Sequence, residues 1–538
     1  MHTDTTPPIT LKSGLPRALL MVALAVAAAF SVRLLGTEAH PVSTQHCIAV
    51  GIFILVIAAT LLFWNLRLAI AFIGIAIMLG SNLMSLPEML EKTELHIILF
   101  LVGMMTIVGV LKDLGLFTWI IQAIISAKNM TGLKFTVILV LLSGIMPGLV
   151  DEVTSIVFVL ALVFQVCDTL KIRPTPFVLI AVMATNIGST GTMLGNPVGI
   201  LIGSKAQLTF GDFLVHATPI MLLTLVITLG LLLWWYRKDI HVLDERLRQR
   251  RAEHRDLAPL VTIPHVKGLL IMLGSLLFIA MHHPIEQALG ITQNTMLIVA
   301  PLTIAGVLMI YRNRRARHYI EVEVEWWTLL FFMMLFAVAG SLEVTGITEI
   351  IAARFQDAFG SNKYVLTPLI VGSSAIGSAF VDNIVFVAAF TPIVRALQEA
   401  DPELSILWWA MLFGSCFGGN ITVIGSTANI VAVGMLEKRY GKGVGFLEWL
   451  KIGAIVGLVT CAVATALLLA LFAFKPVVSD QKPVVSDQWS VVSESDRPAA
   501  YQGEPGRRGI VASNDVERAR ANSATDFPYE NIPRPGRQ

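Results

Sequence analysis

Charge is scarce in this sequence. Asp, Glu, Lys and Arg make up only 14% of 538 residues, against roughly 25% in soluble domains, which excludes an ordinary water-facing globular fold. Cysteine is scarce too. Cys47, Cys167, Cys416 and Cys461 all sit in apolar segments without metal-ligand spacing, so a disulfide framework and a zinc site are excluded and packing roles are expected. The net charge is only +2, and no nucleic-acid partner and no cofactor are expected. A Gly-x-Gly-Asp motif is missing as well. The one Gly-Asp pair, Gly211-Asp212, follows Thr209-Phe210, which leaves an intramembrane aspartyl protease only a remote alternative.

Apolar residues are abundant, at 55% of the chain with a mean hydropathy of +0.74. Nearly charge-free runs cover about 16–36, 46–64, 67–84, 95–111, 216–236, 263–281, 292–311, 326–345 and 449–474, most of them close to the ~20 residues that cross a bilayer core. A multi-pass protein of the inner (plasma) membrane follows, with the lipid bilayer as its environment. The run Ala18–Phe30 after Lys12 and Arg17 resembles a signal peptide in length but reads better as a retained first helix within an N-terminal segment 1–45. The tail 475–538 opens with KPVVSDQ twice in tandem and continues polar, which predicts disorder.

Basic residues mark the cytoplasmic side. The basic connection 238–262 carries Lys238, Arg246, Arg248, Arg250, Arg251 and Arg255, and a second basic segment carries Arg312, Arg314, Arg315 and Arg317. Two spans separate them, so both are expected inside, together with Arg67 and the N-terminus, while the C-terminal tail is expected outside. Trp234-Trp235, Trp326-Trp327 and Trp408-Trp409 are expected at headgroup level. The count closes only if 133–168 and 364–397 are re-entrant hairpins, opening on opposite faces. The predicted fold is therefore an all-α polytopic membrane protein with about 11 transmembrane helices plus two opposed hairpins.

Internal similarity supports the same picture. Gly109-Val-Leu-Lys-Asp-Leu-Gly115 matches Gly340-Ser-Leu-Glu-Val-Thr-Gly346 at an offset of 231, and Val150-Asp151-Glu152 matches Val381-Asp382-Asn383 at the same offset. Thr192-Met-Leu-Gly195-Asn196 matches Thr422-Val-Ile-Gly425-Ser426 at 230, and Asp212-Phe213-Leu214 matches Glu448-Trp449-Leu450 at 236. Repeat 1 spans 46–237 and repeat 2 spans 263–474. Five spans plus a hairpin in each copy make the second inverted relative to the first, the signature of alternating-access carriers with a site near the midplane.

Two stretches within the repeats resist a continuous helix. In 176–203 the glycines flank Asn186, Thr190, Thr192, Gly195, Asn196 and Pro197, and in 406–434 they flank Asn420, Thr422, Gly425, Ser426, Thr427 and Asn429. Glycine costs ~1 kcal/mol and proline ~3 kcal/mol inside a helix, and unwound backbone at membrane depth survives only where it lines a cavity or is buried in protein. Freed carbonyls and helix ends then become ligands. Close helix packing by small residues is the competing explanation. Asp151, Glu152 and Asp382 are the expected mid-membrane carboxylates. Placing such a charge there costs ~2.5–3.5 kcal/mol on insertion scales, so coupling to a proton or sodium is their expected role, shared with Asn383. Helix N-capping by the two aspartates is the alternative.

At these motifs the chain resembles the ion-transporter superfamily over roughly 50–474. The closest branch is that of arsenite permeases, the melanosomal P protein and D-type sodium/proton antiporters, beside citrate transporter-like carriers. VDNIVFVAAFTPIV (381–394), LFGSCFGGNITVIGSTANIVAVG (412–434), VDEVTSIVF (150–158) and NIGSTGTMLGNP (186–197) carry the likeness. The resemblance implies that the paired tips and unwound loops form substrate and sodium sites at Asp151, Glu152, Asp382, Asn383, Gly195, Asn196, Gly425, Ser426 and Asn429. It also implies a homodimer. Two departures stand out: Glu152 replaces the asparagine usual in relatives, and GNPVG replaces GDPPN. The Ser-Asn-Thr tip of carboxylate carriers is missing from both hairpins. The expected function is an ion-coupled secondary active transporter of a small inorganic ion, an arsenite-like anion or sodium exchanged for protons, with sodium the one metal expected. Citrate or another carboxylate is the alternative substrate, and a channel is a third reading disfavoured by the two opposed hairpins.

Overall fold

The computed structural model describes residues 11–36, 41–63, 66–127, 129–253, 265–292 and 295–473. The tail 475–538 and the end of the basic connection, 254–264, lie outside the described residues. Every regular element among the described residues is helical. Five helices are long and apolar enough to cross a bilayer: Leu95–Asp113, Glu152–Leu170, Phe210–Trp235, Trp326–Val344 and Phe446–Phe472. The number rises to seven if two bent pairs each count as one span, Val266–Ala280 with His282–Leu289 (52°) and Thr295–Tyr311 with Asn313–Glu323 (105°). Other expected crossings fall on shorter apolar helices such as Arg67–Gly80 and Thr175–Gly188.

From Leu95 onward the element order runs twice. Leu95–Asp113, Leu116–Ile125, Gly132–Ile145, Glu152–Leu170, Thr175–Gly188, Pro197–Lys205 and the span ending at Trp235 are followed by Trp326–Val344, Ile347–Phe359, Lys363–Phe380, Asn383–Ala400, Ile406–Gly418, Thr427–Tyr440 and Phe446–Ala473. The packing is reciprocal. Arg67–Gly80 of the first copy lies on Trp326–Val344 of the second, and Thr295–Tyr311 of the second lies on Leu95–Asp113 of the first.

The GxLxxxG motif sits at the ends of the twin helices Leu95–Asp113 and Trp326–Val344. Its last glycines, Gly115 and Gly346, hold left-handed backbone at φ 76° and 81° and start the next helix, a conformation that side chains with a Cβ rarely adopt. Its first glycines admit a crossing chain: a Cβ on Gly109 lies 2.9 Å from Glu323 Cβ, and one on Gly340 lies 2.5 Å from Lys92 Cβ. Beside each glycine stands an ion pair. Lys112 Nζ meets Glu323 Oε2 at 2.9 Å, and Lys92 Nζ meets Glu343 Oε1 at 3.0 Å. Lys92 and Glu323 are mates at offset 231, as are Lys112 and Glu343, so the same contact is made twice with the charges exchanged. Each pair joins the end of one twin helix to residues just ahead of the other. The twins therefore run antiparallel, the relation an inverted repeat requires.

Two sequence expectations are corrected. The basic connection 238–262 is not a loop throughout, because Arg237–Ala252 is a helix. Ile240, Leu243 and Leu247 recur at helical spacing and are buried, while Asp244–Arg248 and His241–Glu245 pair at i,i+4, a combination that supports a helix despite the charge. Its residues brace the first hairpin: Gly132 N donates to Asp244 Oδ1 at 3.0 Å and Arg251 donates to the Met130 carbonyl at 2.6 Å. Trp408 and Trp409 do not face the headgroup region as expected, being packed inside the protein at 1% exposed. Trp408 Nε1 donates to Gln398 at 2.6 Å, and Trp409 packs on Phe213. Trp234, Trp235, Trp326 and Trp327 are exposed.

Candidate functional site

Two hairpin tips and two interrupted helices converge in the protein interior. The first hairpin pairs Gly132–Ile145 with Glu152–Leu170 and the second pairs Lys363–Phe380 with Asn383–Ala400. The first interruption leaves 189–196 unwound between Thr175–Gly188 and Pro197–Lys205, and the second leaves 419–426 unwound between Ile406–Gly418 and Thr427–Tyr440. A Cβ on Gly188 would overlap the Gly144 backbone, and one on its mate Gly418 would overlap Ala375. Each interruption is thus pressed against its own hairpin, and only glycine allows that approach.

The aspartates of the tips are bound differently. Asp151 Oδ1 accepts from Thr154 N at 2.8 Å and Oδ2 accepts from Thr154 Oγ1 at 2.5 Å, at a backbone φ of 148° that costs a non-glycine residue ~1–3 kcal/mol. Asp382 Oδ1 accepts from Ile384 N at 3.1 Å, while Oδ2 accepts from Thr427 Oγ1 at 2.7 Å. Both carboxylates cap the helix that follows them. Only the second also reaches an interrupted helix, because Pro197, the mate of Thr427 at offset 230, has no hydroxyl to donate.

The amides and hydroxyls of the loops hold the unwound backbone together. Asn186 Nδ2 donates to Asn420 Oδ1 at 2.9 Å and to Asn429 Oδ1 at 2.8 Å, and Asn186 Oδ1 accepts from Ser426 Oγ at 3.0 Å. Asn429 Nδ2 donates in turn to the carbonyls of Gly419 at 2.8 Å and Thr422 at 2.9 Å. On the other side Asn196 Nδ2 donates to Ser189 Oγ at 2.8 Å and Cys416 Sγ at 3.1 Å. Asn186 and Cys416 are mates at offset 230, as are Asn196 and Ser426, so these two cross-repeat contacts are one contact made twice. Thr192 Oγ1 binds the Gly148 carbonyl and Thr422 Oγ1 binds that of Ala379, again at mate positions. Thr190 donates to the Ile187 carbonyl of its own helix at 2.8 Å. Gly195 and Gly425 contribute backbone that crowds Ser189 and Gly419. Cys416 is thereby a polar contact as well as a packing residue.

What remains without hydrogen-bond partners is informative. Oδ1 of Asn383 is buried without a hydrogen-bond partner, and the buried carboxylate of Glu152 makes no well-formed hydrogen bond, with the Asn196 and Ser189 side chains beside it; the two residues are mates at offset 231. An unsatisfied buried acceptor costs ~1–3 kcal/mol, and more when charged. These acceptor atoms stand at mate positions of the two repeats. No group of three His, Cys, Asp or Glu side chains suited to a metal ion occurs among the described residues, so a sodium site would draw on mixed carboxylate, amide and carbonyl oxygens.

A cavity opens on the first tip. Asp151, Glu152 and Glu325 supply its carboxylates, Thr328 and Thr427 its hydroxyls, and residues such as Phe100, Met104 and Phe332 its apolar wall. Lys, Arg and His are missing from the lining among the described residues. Asp382, Asn383 and the Asn186 network are not part of that lining. Glu325 and Thr328 escaped the sequence reading. Thr328 Oγ1 donates to Glu325 Oε2 at 3.3 Å, and buried Arg67 donates to Thr328 at 3.3 Å. One signal was available: Glu325 has a glutamate mate, Glu94, at offset 231.

Comparison with known proteins places this geometry. The profile described as citrate transporter matches residues 53–414. The chain is 33% identical over 406 residues to a protein of Mycobacterium tuberculosis named uncharacterized transporter, covering 73% of this chain and 91% of that one. It is 26% identical over 461 residues to the P protein of Mus musculus, covering 72% of this chain and 55% of the P protein. Among solved structures the YdaH transporter of Alcanivorax borkumensis matches with a TM-score of 0.46 and 15% identity, over 85% of this chain and 98% of that one.

Proposed function

Because the chain belongs to the citrate transporter family and is a membrane transporter, we propose that it is an ion-coupled secondary active transporter working by alternating access, and that it exchanges sodium for protons. The observation that carries this reading is the pair of mate positions Glu152 and Asn383, whose buried acceptor oxygens lack well-formed hydrogen bonds. In this reading a sodium ion or a proton satisfies them in turn. Asp151 and Asp382 fix the tips around the ion through their caps, and the Asn186, Asn420 and Asn429 network keeps the two interrupted helices in register. Unwinding of both helices lets the hairpins move without tearing a continuous hydrogen-bond ladder. The charge pattern of the loops supports a cytoplasmic N-terminus.

The cavity's chemistry supports a cation as the substrate. Three carboxylates line it with no cationic side chain among the described residues. A tricarboxylate such as citrate, or another anion, entering alone would face like-charge repulsion at low dielectric, where unit charges at close range interact by several kcal/mol. A monovalent cation is attracted. Citrate remains the alternative on the strength of the family description. The test is flux into proteoliposomes holding a pH indicator, with sodium, citrate and arsenite gradients applied in turn. Sodium-driven proton movement supports the proposal, whereas citrate or arsenite uptake without sodium-driven proton movement overturns it.

A further inference from the structure

A second cavity lies at the other end of the twin helices. Along Trp326–Val344 the first cavity is lined by Thr328 and Phe332, and the second by Phe336, Gly340 and Glu343. Helix Pro197–Lys205 likewise touches the first cavity at Pro197 and the second at Leu201 and Lys205. The first cavity holds both members of three mate pairs, Leu101 with Phe332, Val153 with Ile384 and Pro197 with Thr427, so it straddles the meeting of the repeats, while Glu325 and Met105 have as mates, at offset 231, Glu94 and Phe336 of the second. In an inverted repeat those mates face opposite sides of the membrane.

The two glutamates are paired differently. Glu94, 8% exposed, is ion-paired to Lys205 Nζ, and His96 stands beside it, its Nδ1 3.6 Å from Glu94 and its Nε2 2.7 Å from Ser204 Oγ. Lys92 in the same cavity is already engaged by Glu343 at 3.0 Å. Lys205 has no charged mate, since offsets of 230 and 231 lead to Met435 and Leu436. Lys205 places an ammonium directly on the carboxylate that corresponds to Glu325, whereas Glu325 itself has the guanidinium of Arg67 near it by way of Thr328.

We infer that the second cavity is the vestibule of the opposite membrane face, that Glu94 is a binding station there for the transported monovalent cation, and that Lys205 is a tethered cation occupying that station when the vestibule is closed. This rests on the cation-transport reading above. Opening the vestibule separates Lys205 from Glu94 and frees the carboxylate for the incoming ion. Closing it returns the ammonium, expels the ion toward Glu152, and spares Glu94 an uncompensated buried charge, which would cost several kcal/mol.

The test uses the full-length chain in oriented membrane vesicles with a membrane-impermeant thiol reagent. Leu201→Cys and Ala388→Cys report on the second cavity and Met105→Cys on the first, with the unsubstituted protein as blank. The expected result is labelling of Leu201→Cys and Ala388→Cys from one face and of Met105→Cys from the other. Sodium should slow the first pair, and adding Lys205→Met should speed labelling of Leu201→Cys at least threefold while Lys205→Arg leaves it near the starting rate. Labelling of all three from one face, or none of the second-cavity positions from either face, overturns the vestibule. Labelling unaffected by sodium and by Lys205→Met overturns the role of Glu94 and Lys205. Flux measured on the same vesicles separates the two ideas: opposed labelling without sodium–proton exchange refutes the transport reading alone.

Discussion

Thr427 Oγ1 donates to Asp382 at 2.7 Å, and the equivalent bond in the first repeat is lacking because Pro197 occupies the matching position. Both tips are tied to their interrupted helices through Thr192 and Thr422, but only the second is also fastened through its aspartate. A hydrogen bond to a charged group contributes ~1.5–3 kcal/mol, so Thr427→Val should weaken cation binding about tenfold or more, while Thr427→Ser should retain it. Sodium half-saturation of transport by the two variants is the measurement. Equal values for both would mean that the bond does not hold the site.

The exchanged ion pairs, Lys92 with Glu343 and Lys112 with Glu323, are partly exposed. Such pairs contribute ~0.2–1 kcal/mol, so Lys92→Ala should lower the melting temperature only slightly. Lys92→Glu places two like charges together beside Gly340 and should be more damaging than Lys92→Ala. Adding Glu343→Lys should restore it, because the reversed arrangement already exists at the other end of the twin helices. Thermal unfolding of the purified protein in detergent decides, and a double variant no better than Lys92→Glu would contradict the equivalence.

Gly188→Ala and Gly418→Ala should each lose folded protein, since the new methyl meets the Gly144 or Ala375 backbone and overpacking costs ~1–3 kcal/mol. Gly230→Ala has open space around its Cβ position and should be neutral or slightly stabilising. The comparison is made by monodisperse yield and melting temperature. Similar behaviour of Gly188→Ala and Gly230→Ala would count against the tight approach.

Much of the fold was legible because the repeat conserves side-chain type at its turning points: Gly109 with Gly340, Asp151 with Asp382, Thr192 with Thr422. The ion pairs were hidden for the opposite reason. Lys92 aligns with Glu323 and Lys112 with Glu343, so a search for likeness passes over positions whose charges are exchanged. Glu94 and Glu325 do match in type, but each stands just before an apolar run and reads as an ordinary interfacial carboxylate. Helix Arg237–Ala252 was masked by its charge, although Ile240, Leu243 and Leu247 carry the apolar period. Trp408 and Trp409 read as headgroup anchors because sequence gives their position along the chain and not what packs around it. At the site the residue types were readable. Hydrogen-bond direction was not, and direction separates Asn186, whose amide is used on both sides, from Asn383, whose oxygen is left over.

The helix Arg237–Ala252 follows the first repeat and braces the base of the first hairpin, with no counterpart to it among the described residues after the second repeat. Asp244→Ala removes the acceptor for Gly132 N, a loss of ~1–3 kcal/mol where that donor stays buried. Faster proteolysis at the start of the first hairpin is expected, with the second hairpin unchanged. Equal protection of both hairpins in wild type and variant would show that the brace is dispensable.

Sodium-driven proton movement in proteoliposomes, compared between the unsubstituted protein and Glu152→Gln, tests the central claim most directly. Glu152→Gln keeps the shape and the acceptor oxygen while removing the charge and the titratable proton. Exchange that falls at least a hundredfold, with the melting temperature retained and sodium no longer stabilising the fold, is the predicted result. Exchange at the original rate with an unchanged dependence on pH and sodium would contradict the assignment of Glu152 and Asn383 as the cation site.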